Sequence, residues 1–335
     1  MNVFILKSVI MDSDYIVKAK NLKKYFPVKR NFFGKPEAYL LAVDDVSFGL
    51  SRAETLGLVG ESGCGKSTLG RCLIRLLEPT SGEIEILGKN ILAIRGDEML
   101  QARKNMQIVF QDPYSSLNPR QTCGDIIAEG LIVHKIGNKS ERKDRVVGLL
   151  RQVGLSPEHY HKYPHEFSGG QRQRIGIARA IAVDPLFIVA DEPVSSLDVS
   201  IQAQIINLFF DLKEKRHISY LFISHDLSVI HHIADRVIVM YLGQIVETAT
   251  TDAIFSSPAH PYTRALLSAV PVIDPEQKRK RIILPGEIPT AVSPPTGCRF
   301  HTRCLYKKEE CTKTEQTLKP VSPSHLVACM RSSEI

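Results

Sequence analysis

The chain has no apolar run long enough to cross a lipid bilayer. Its first residues, MNVFILKSVIMDSDY, are too few for a membrane span and meet Asp12 and Asp14 early. They also lack the basic start and the small-residue cleavage site of a secretory signal. These absences argue against an integral membrane protein and against a secreted one, so we expect a protein that resides in the cytosol.

A concentrated charge of one sign is also missing. The formal net charge is +7, but the basic residues are spread along the chain, apart from the run KRKR at Lys278 to Arg281. Charge alone therefore does not separate an ordinary solvated surface from one that binds nucleic acid or an anionic membrane. The 335 residues, 43% of them hydrophobic, suffice for one large domain or two ordinary ones with a sizeable core.

Strand and helix patterns alternate through the middle of the chain. TLGLVG (55–60) is typical of a short apolar strand, and the apolar spacing of KSTLGRCLIRLL predicts a helix that begins near Lys66. Three later apolar runs, LFIVADEP, SYLFISHD and RVIVMYLGQIVE, predict further strands, and a helical pattern starts at Val199 between the first two. This alternation favours an α/β core around a parallel sheet.

Three segments depart from the alternation. The first 50 residues are typical of antiparallel edge strands, and residues 112–180 are mostly helical in pattern, which predicts an inserted helical subdomain. Past about residue 255 the composition shifts toward Pro, Ser, Thr and Cys. We therefore divide the chain into a main domain, residues 1–254, and a C-terminal extension, residues 255–335.

The loop between the first apolar strand and its helix carries a strong chemical signal. GESGCGKS (60–67) fits the pattern G-x-x-x-x-G-K-[ST] of phosphate-binding loops, in the strand–loop–helix context that such a loop requires. Glycines let backbone N–H groups approach phosphate oxygens, Lys66 would contact the β- and γ-phosphates, and Ser67 would ligate Mg²⁺. The predicted nucleotide-binding residues here are Gly60, Ser62, Gly63, Cys64, Gly65, Lys66, Ser67 and Thr68.

Two acidic residues end the run LFIVADEP. Asp191 lies where P-loop enzymes place the carboxylate that orients Mg²⁺, and Glu192 follows directly. Successive side chains of a strand point to opposite faces, but the chain turns at the end of the strand. We therefore expect both carboxylates to lie at the site.

The stretch FSGGQ begins at Phe167 and has two interpretations. The ordinary one is a glycine-assisted helix start with Ser168 as its N-cap. The other is a second phosphate site, because a serine hydroxyl and free N–H groups at a helix N-terminus suit a phosphate. Since the chain already has its own P-loop, these residues would serve the nucleotide of a second chain across a dimer interface; they are Ser168, Gly169, Gly170 and Gln171.

Together the motifs resemble those of the ATP-binding-cassette (ABC) ATPases, over about residues 15–250. GESGCGKST is similar to the Walker A loop, FIVADEP to the Walker B strand and FSGGQ to the ABC signature. The resemblance also implies a Q-loop residue, Gln111 in VFQDP, a D-loop residue, Asp198 in SSLD, and a switch histidine, His225 in ISHD.

The resemblance implies a role for each of these positions. Glu192 would polarise the attacking water as general base, and His225 would help to position that water. Gln111 would sense Mg²⁺ and the γ-phosphate, so that the implied Mg²⁺ residues are Ser67, Gln111 and Asp191. Phe26, or else Tyr25, would stack on the adenine.

Further stretches narrow the resemblance to the ATPase subunits of oligopeptide and dipeptide importers. They include FQDPYSSLNPR, YPHEFSGGQRQRIGIARA, HPYTRALLSAVP and GCRFHTRC. LKKYFPVKR favours the F-type subunit of the paired D and F ATPases. Nickel importers share the subfamily, so the resemblance leaves the cargo open.

Ala53 stands where the family has glycine, which puts a left-handed turn there in doubt.

Four cysteines are confined to the tail with the spacing C-x5-C-x6-C-x17-C, which lacks the close C-x2–4-C pairs usual for structural zinc. In the subfamily this arrangement resembles a four-cysteine [4Fe–4S] site. Zn²⁺ and free thiols remain the alternatives. The residues concerned are Cys298, Cys304, Cys311 and Cys329.

The resemblance implies an α/β fold of the RecA-like P-loop NTPase class, with an antiparallel β-subdomain, an inserted helical subdomain and a small cysteine-containing C-terminal extension. The implied activity is hydrolysis of ATP with Mg²⁺ at the cytoplasmic face of the membrane, where the protein would be peripheral. The implied partners are a second ABC ATPase subunit, identical or similar, two transmembrane permease subunits and an extracytoplasmic solute-binding protein.

Two other classes of function are weighed against this one. A soluble ABC ATPase acting on DNA would carry a long coiled-coil insertion, and one acting on ribosomes would carry two cassettes; this chain has neither, so no nucleic-acid partner is expected. A small-molecule kinase would use the P-loop but would not explain the signature stretch SGG or His225.

Overall fold

The computed structural model describes residues 15–30, 36–270 and 281–335. The N-terminal stretch used above to argue against a secretory signal lies outside these residues except for Tyr15, and the basic run lies outside them except for Arg281. The strands of the described part are β1 (Tyr15–Arg30), β2 (Pro36–Ser51), β3 (Thr55–Val59), β4 (Ser81–Ile86), β5 (Lys89–Asn90), β6 (Met106–Val109), β7 (Phe187–Asp191), β8 (Ser219–Ile223), β9 (Arg236–Tyr241), β10 (Gln244–Thr250), β11 (Lys319–Ser322) and β12 (His325–Val327). Its α-helices are α1 (Lys66–Leu73), α2 (Gly96–Asn105), α3 (Cys123–Val133), α4 (Lys139–Gln152), α5 (Gly169–Ile181), α6 (Val199–Arg216), α7 (Leu227–Ile233), α8 (Thr251–Ser256), α9 (Pro261–Ser268) and α10 (Glu310–Lys313).

The core is an eight-stranded mixed sheet in the order β11-β12-β10-β9-β3-β8-β7-β6. Neighbouring strands are parallel from β9 to β6, whereas β10, β12 and β11 join antiparallel. Every residue of β3, β7 and β8 is buried, as expected for strands covered on both faces. Because the carboxyl ends of parallel strands meet at one edge, the residues that follow these three strands are gathered there.

A second sheet, antiparallel and in the order β2-β1-β4-β5, lies beside the first. Helix α1 joins the two layers, because Leu69 and Leu73 on α1 share an apolar cluster with Val17 of β1 and Val46 of β2. Between β2 and β3, Ala53 has a φ of 52°. The left-handed turn that we doubted is therefore formed with alanine in place of glycine.

Helices fill most of the segment predicted to be an inserted helical subdomain. Helix α3 begins after the N-cap Thr122, whose side chain accepts a hydrogen bond from the Asp125 N–H. Helix α4 begins at a capping box formed by Asn138 and Glu141. The apolar sides of α3, α4 and α5 share one core with the main sheet.

The C-terminal extension contributes strands to the main sheet. Glu247 and Thr248 of β10 pair with Val327 and Leu326 of β12, and β11 pairs with β12 on the outside. The side chain of Glu247, fully buried, accepts hydrogen bonds from the backbone N–H groups of Ala259 and His260 and lies 2.7 Å from His325 Nε2. Among the described helices, none combines the length and the apolar character needed to cross a bilayer.

Candidate functional site

The P-loop passes between β3 and α1 against neighbouring backbone. At Gly60, where φ is 152°, a Cβ atom would lie 2.2 Å from the carbonyl oxygen of Met240, and at Gly65, where φ is 107°, it would lie 1.9 Å from that of Ala42. Only glycine fits at these two positions. In the rest of the loop, Ser62 and Gly63 are exposed, Thr68 is half-buried, and burial raises the pKa of the Cys64 thiol.

Lys66 is buried although its side chain is charged. Its Nζ donates to the carbonyl oxygens of Gly60 at 2.8 Å and Glu61 at 3.1 Å. These two bonds hold the Lys66 ammonium group against its own loop. For the predicted phosphate contact, the ammonium group must exchange these carbonyl oxygens for phosphate oxygens.

Ser67 and Asp191 come together as predicted for a Mg²⁺ site. Ser67 Oγ donates to Asp191 Oδ1 at 2.6 Å, and Asp191 is only 1% exposed. Burial raises the pKa of the Asp191 carboxyl, and the Ser67 hydrogen bond and the Arg71 charge oppose that shift. Asp191 Oδ2 is buried without a hydrogen-bond partner. A hydroxyl and an unpartnered carboxylate oxygen are ligands that Mg²⁺ accepts, so these residues fit that ion.

Arg71 is a residue of the site that the motifs did not indicate. Its Nη2 lies 3.5 Å from Asp191 Oδ2, an ion-pair distance but not a hydrogen bond. The available signal was its helical position, since Arg71 follows Ser67 by four residues on α1 and so lies on the same face.

Glu192 lies beyond the end of β7 with a φ of 46° and a side chain that is 13% exposed. Its Oε2 accepts a hydrogen bond from Gln111 Nε2 at 3.1 Å and lies 3.0 Å from His225 Nδ1. The ends of β6, β7 and β8 thus bring three predicted residues together around one carboxylate oxygen. Gln111 contacts Glu192 rather than the Ser67–Asp191 pair.

The signature stretch forms the start of α5. Ser168 Oγ accepts from the Gln171 N–H, and Gln171 Oε1 accepts from the Ser168 N–H, which is a capping box. In the part of the chain that the structure describes, no hydrogen bond joins these residues to the P-loop of the same chain. Ser168 and Gly169 are exposed, and so is Asp198 at the start of α6.

The two aromatic candidates for adenine stacking have different surroundings. The Tyr25 hydroxyl donates to Asp44, and its pKa is raised by burial and by that hydrogen bond. The half-buried ring of Phe26 has the Lys24 ammonium 4.9 Å from its centroid. The hydroxyl of Tyr25 is therefore engaged with Asp44, and adenine stacking by Phe26, or else by Tyr25, stays a prediction.

All four tail cysteines line one small cavity, of about 20 Å³. Burial raises the pKa of Cys298 to about 11 and also raises the pKa values of Cys304 and Cys329, while an N–H two residues after each of these thiols lowers it. Within residues 15–30, 36–270 and 281–335, however, no group of three or more His, Cys, Asp or Glu side chains is arranged to hold a metal ion. The four cysteines thus line one cavity without forming such a group.

Two family models match the chain. One, described as ABC transporter, matches residues 43–195, and the other, described as the C-terminal region of oligopeptide/dipeptide transporters, matches residues 246–311. The dipeptide transport ATP-binding protein DppF of Haemophilus influenzae is 50% identical over 96% of this chain and 98% of its own length. The oligopeptide transport ATP-binding protein AppF of Bacillus subtilis is 51% identical over 95% of this chain and 98% of its own.

Solved structures of ABC cassettes share the fold. The dimeric cassette MJ0796 bound to ADP and Pi is 29% identical, with a TM-score of 0.62 over 70% of this chain and 98% of that one. The cbiO1 protein of Clostridium perfringens is 26% identical, with a TM-score of 0.62 over 73% and 92%. The predicted α/β P-loop fold is thereby confirmed. With about half of its residues identical to such relatives over nearly its whole length, the chain belongs to the ABC transporter ATPases that carry the oligopeptide/dipeptide transporter C-terminal region.

Proposed function

We propose that this chain is the ATP-hydrolysing subunit of a multisubunit ABC importer that takes up peptides across the cytoplasmic membrane. The observation that carries the proposal is the placement of Glu192, between Gln111 and His225, at the sheet edge that also holds the P-loop and the Ser67–Asp191 pair. The peptide cargo is supported by the names of the relatives and by the C-terminal region. The protein would lie peripherally at the cytoplasmic face.

Binding of ATP uses the P-loop and the aromatic residue of β1. The loop N–H groups and Lys66 contact the phosphates, and Phe26 stacks on the adenine. Ser67 and Asp191 would hold Mg²⁺, whereas Gln111, the third residue expected at the ion, is bonded to Glu192. That ion, when bound, would neutralise phosphate charge and polarise the transferred phosphoryl group.

Hydrolysis uses Glu192 as general base. Because Gln111 and His225 both face Oε2, Oε1 of the carboxylate is left to accept a proton from the attacking water. His225 is more than half exposed, so its free ring edge can contact the same water or the γ-phosphate. Gln111 links this carboxylate to the segment that leads into the helical subdomain.

The site is completed by a second ABC ATPase subunit. Ser168, Gly169, Gly170 and Gln171 of one subunit contact the phosphates bound by the other, with Asp198 beside them at the interface. Closure of two ATP-filled sites draws the helical subdomains together, and this motion passes to two permease subunits that receive peptide from an extracytoplasmic binding protein. The partner is an identical or a similar chain.

Replacement of the base tests the proposal. Glu192→Gln keeps the size and hydrogen bonds of the side chain but cannot accept a proton, so we expect ATP binding near the wild-type level and hydrolysis lowered by about 100-fold or more. Phosphate release and equilibrium nucleotide binding measure the two effects, and exposed Glu158→Gln serves as the matched control. Unchanged hydrolysis by Glu192→Gln would remove this residue from its role.

Uptake by cells identifies the cargo. Cells that lack the gene should lose uptake of labelled di- or oligopeptides, and wild-type protein but not Glu192→Gln should restore it. If the wild-type gene instead restores uptake of nickel and peptide uptake is the same with and without the gene, the cargo is nickel and the peptide proposal is wrong.

We propose, separately, that the four-cysteine cavity binds an iron–sulfur cluster. Supporting this are the convergence of four thiols, the N–H groups directed at three of them, and the guanidinium of Arg331 in the lining, which would offset the charge of four thiolates. Protein purified without oxygen should contain about four irons and four sulfides per chain. A colourless protein with one zinc, or with no metal, would refute the cluster.

A further inference from the structure

The loop between the first two tail cysteines, residues 298–304 and called here the tail loop, carries a buried arginine that contacts the P-loop. Arg303 is 7% exposed, and its Nη1 and Nη2 donate to Glu61 Oε2 and Oε1 at 2.7 and 3.1 Å. Glu61 is the second residue of the P-loop motif. This bidentate pair joins groups that are 242 residues apart in the chain, and its geometry is the strong one for arginine and carboxylate.

Glu61 is held a second time by the C-terminal extension. Its backbone N–H donates at 2.8 Å to the hydroxyl of Tyr262, which is fully buried in α9. Its carbonyl oxygen accepts from Lys66 Nζ at 3.1 Å. One P-loop residue therefore connects the extension, through its carboxylate and amide, to the phosphate-binding lysine, through its carbonyl.

Arg299 makes a similar connection on the adenine side. Its guanidinium pairs with Asp44 and donates to the carbonyl oxygen of Leu242. Asp44 also accepts the hydroxyl of Tyr25, the residue before Phe26. The side chains of Arg299 and Asp44 are 10% and 12% exposed, so this pair is shielded from water more than a surface ion pair.

Between Arg299 and Arg303, the tail loop is held in place by the packing of an aromatic side chain. Phe300 is 1% exposed, and its ring centroid lies 5.3 Å from that of Tyr241 and 5.4 Å from that of Tyr262. The backbone that carries both arginines is thus held in the core, and their side chains approach the nucleotide-site residues from a rigid base.

We propose that Arg303, with Arg299 beside it, is a positioning residue for nucleotide: it fixes Glu61, and through Glu61 the backbone of the P-loop. The C-terminal extension thereby sets the affinity of the P-loop for phosphate. This inference rests on the proposed binding of ATP at the P-loop. Arg303 touches no part of the nucleotide and acts by reducing the freedom that the loop loses when ATP binds.

A double-mutant cycle tests the inference in the full-length chain. Arg303→Gln and Glu61→Gln should each weaken equilibrium binding of a fluorescent ATP analogue by about 5- to 20-fold and raise KM for ATP in step, with kcat at saturation changed by less than about twofold. The double variant should bind the analogue no more weakly than either single variant, because both substitutions remove the same ion pair. Arg303→Lys keeps the charge but not the bidentate geometry, so its affinity for the analogue should lie between those of the wild type and Arg303→Gln.

The matched control is Arg264→Gln. Arg264 is a half-buried arginine of the same extension whose guanidinium bonds the carbonyl oxygens of Pro258 and Ile335, away from the P-loop. We expect this variant to lower the melting temperature without changing KM. An equal rise in KM for Arg264→Gln, or a fall in kcat with KM unchanged for Arg303→Gln, would indicate a purely structural role and overturn the inference.

Lys66→Ala separates this inference from the proposed function. If Lys66→Ala loses nucleotide binding while Arg303→Gln binds ATP normally, the inference fails and the proposed function stands. If Lys66→Ala binds ATP as tightly as wild type, the proposed function of the P-loop fails, and the inference fails with it.

Discussion

At the scale of single residues, Asp191 and Glu192 are neighbours in the chain with opposite surroundings. Asp191 is buried, bonded to Ser67 and close to Arg71, and burial raises the pKa of its carboxyl. Glu192 lies past the strand end, where its side chain is partly open to solvent. The left-handed φ at Glu192 turns the chain so that the two carboxylates have different partners, Ser67 and Arg71 for Asp191 and Gln111 and His225 for Glu192.

The two carboxylates should therefore respond differently to removal of Mg²⁺. Asp191→Asn replaces a charged ligand with a neutral one, so the gain in ATP affinity that Mg²⁺ gives should shrink by about tenfold. Glu192→Gln should keep that gain. Nucleotide binding measured with Mg²⁺ and with a chelator tests both, and an undiminished Mg²⁺ effect in Asp191→Asn would exclude Asp191 as a ligand.

At the scale of elements, the start of α5 combines a capping box with an exposed surface. The capping box satisfies N–H groups of the first turn from within the chain, while the exposed Ser168 and Gly169 leave the helix end open to a partner. The capping interpretation of the signature is thus seen in the structure, and the contact with a partner's phosphate stays a prediction.

Substitutions at Ser168 can separate the cap from the contact with a partner. Aspartate caps helices as well as serine does, so Ser168→Asp should keep the melting temperature, whereas Ser168→Ala should cost about 1 kcal/mol. A carboxylate facing a phosphate is repulsive, so Ser168→Asp should lower hydrolysis by about tenfold or more. Asn138→Asp, a cap exchange in α4, is the control for both measurements.

If Ser168→Asp hydrolyses ATP at the wild-type rate, Ser168 does not contact a phosphate and its role is to cap α5. Light scattering in the Glu192→Gln background adds a second measurement, because Mg·ATP should convert that variant to a dimer and Ser168→Asp should prevent the conversion.

At the scale of the whole molecule, the extension is joined to the main domain by buried polar groups. Burial would raise the pKa of Glu247, but its hydrogen bonds with His325 and with the N–H groups of Ala259 and His260 outweigh burial and lower it. A carboxyl whose pKa is lowered on folding contributes stability above its unfolded pKa, and that stability is lost as pH falls through the folded value.

Glu247→Gln should therefore flatten the acid side of the stability profile. The wild-type melting temperature should fall as pH drops below about 4.5, and the variant should fall less steeply there. At pH 7 the variant should be less stable by about 1–2 kcal/mol, because bonds to a charged acceptor become bonds to a neutral one. Thermal unfolding across pH measures this, with exposed Glu83→Gln as control; parallel profiles for Glu247→Gln and wild type would contradict it.

The sequence predicted the parts of the fold and site that depend on local pattern. The P-loop and the β7 acids could be placed because each follows a recognisable apolar run, whereas Gln111 and His225 were named from the resemblance to the ABC ATPases. Contacts set by packing between distant segments could not be predicted. Arg303 meets Glu61, and β12 pairs with β10, only because the tail folds back onto the core, and no spacing in the chain encodes that return.

The way the main sheet ends has a consequence for association between molecules. On the side of the extension, the last strand is β11, four exposed residues that include Lys319 and Pro320. Proline cannot donate a ladder hydrogen bond, and a lysine at a strand edge opposes stacking of another strand. The tail thus terminates the sheet with a strand that is a poor template for aggregation, and a chain truncated before residue 319 would instead expose the unpaired backbone edge of β10.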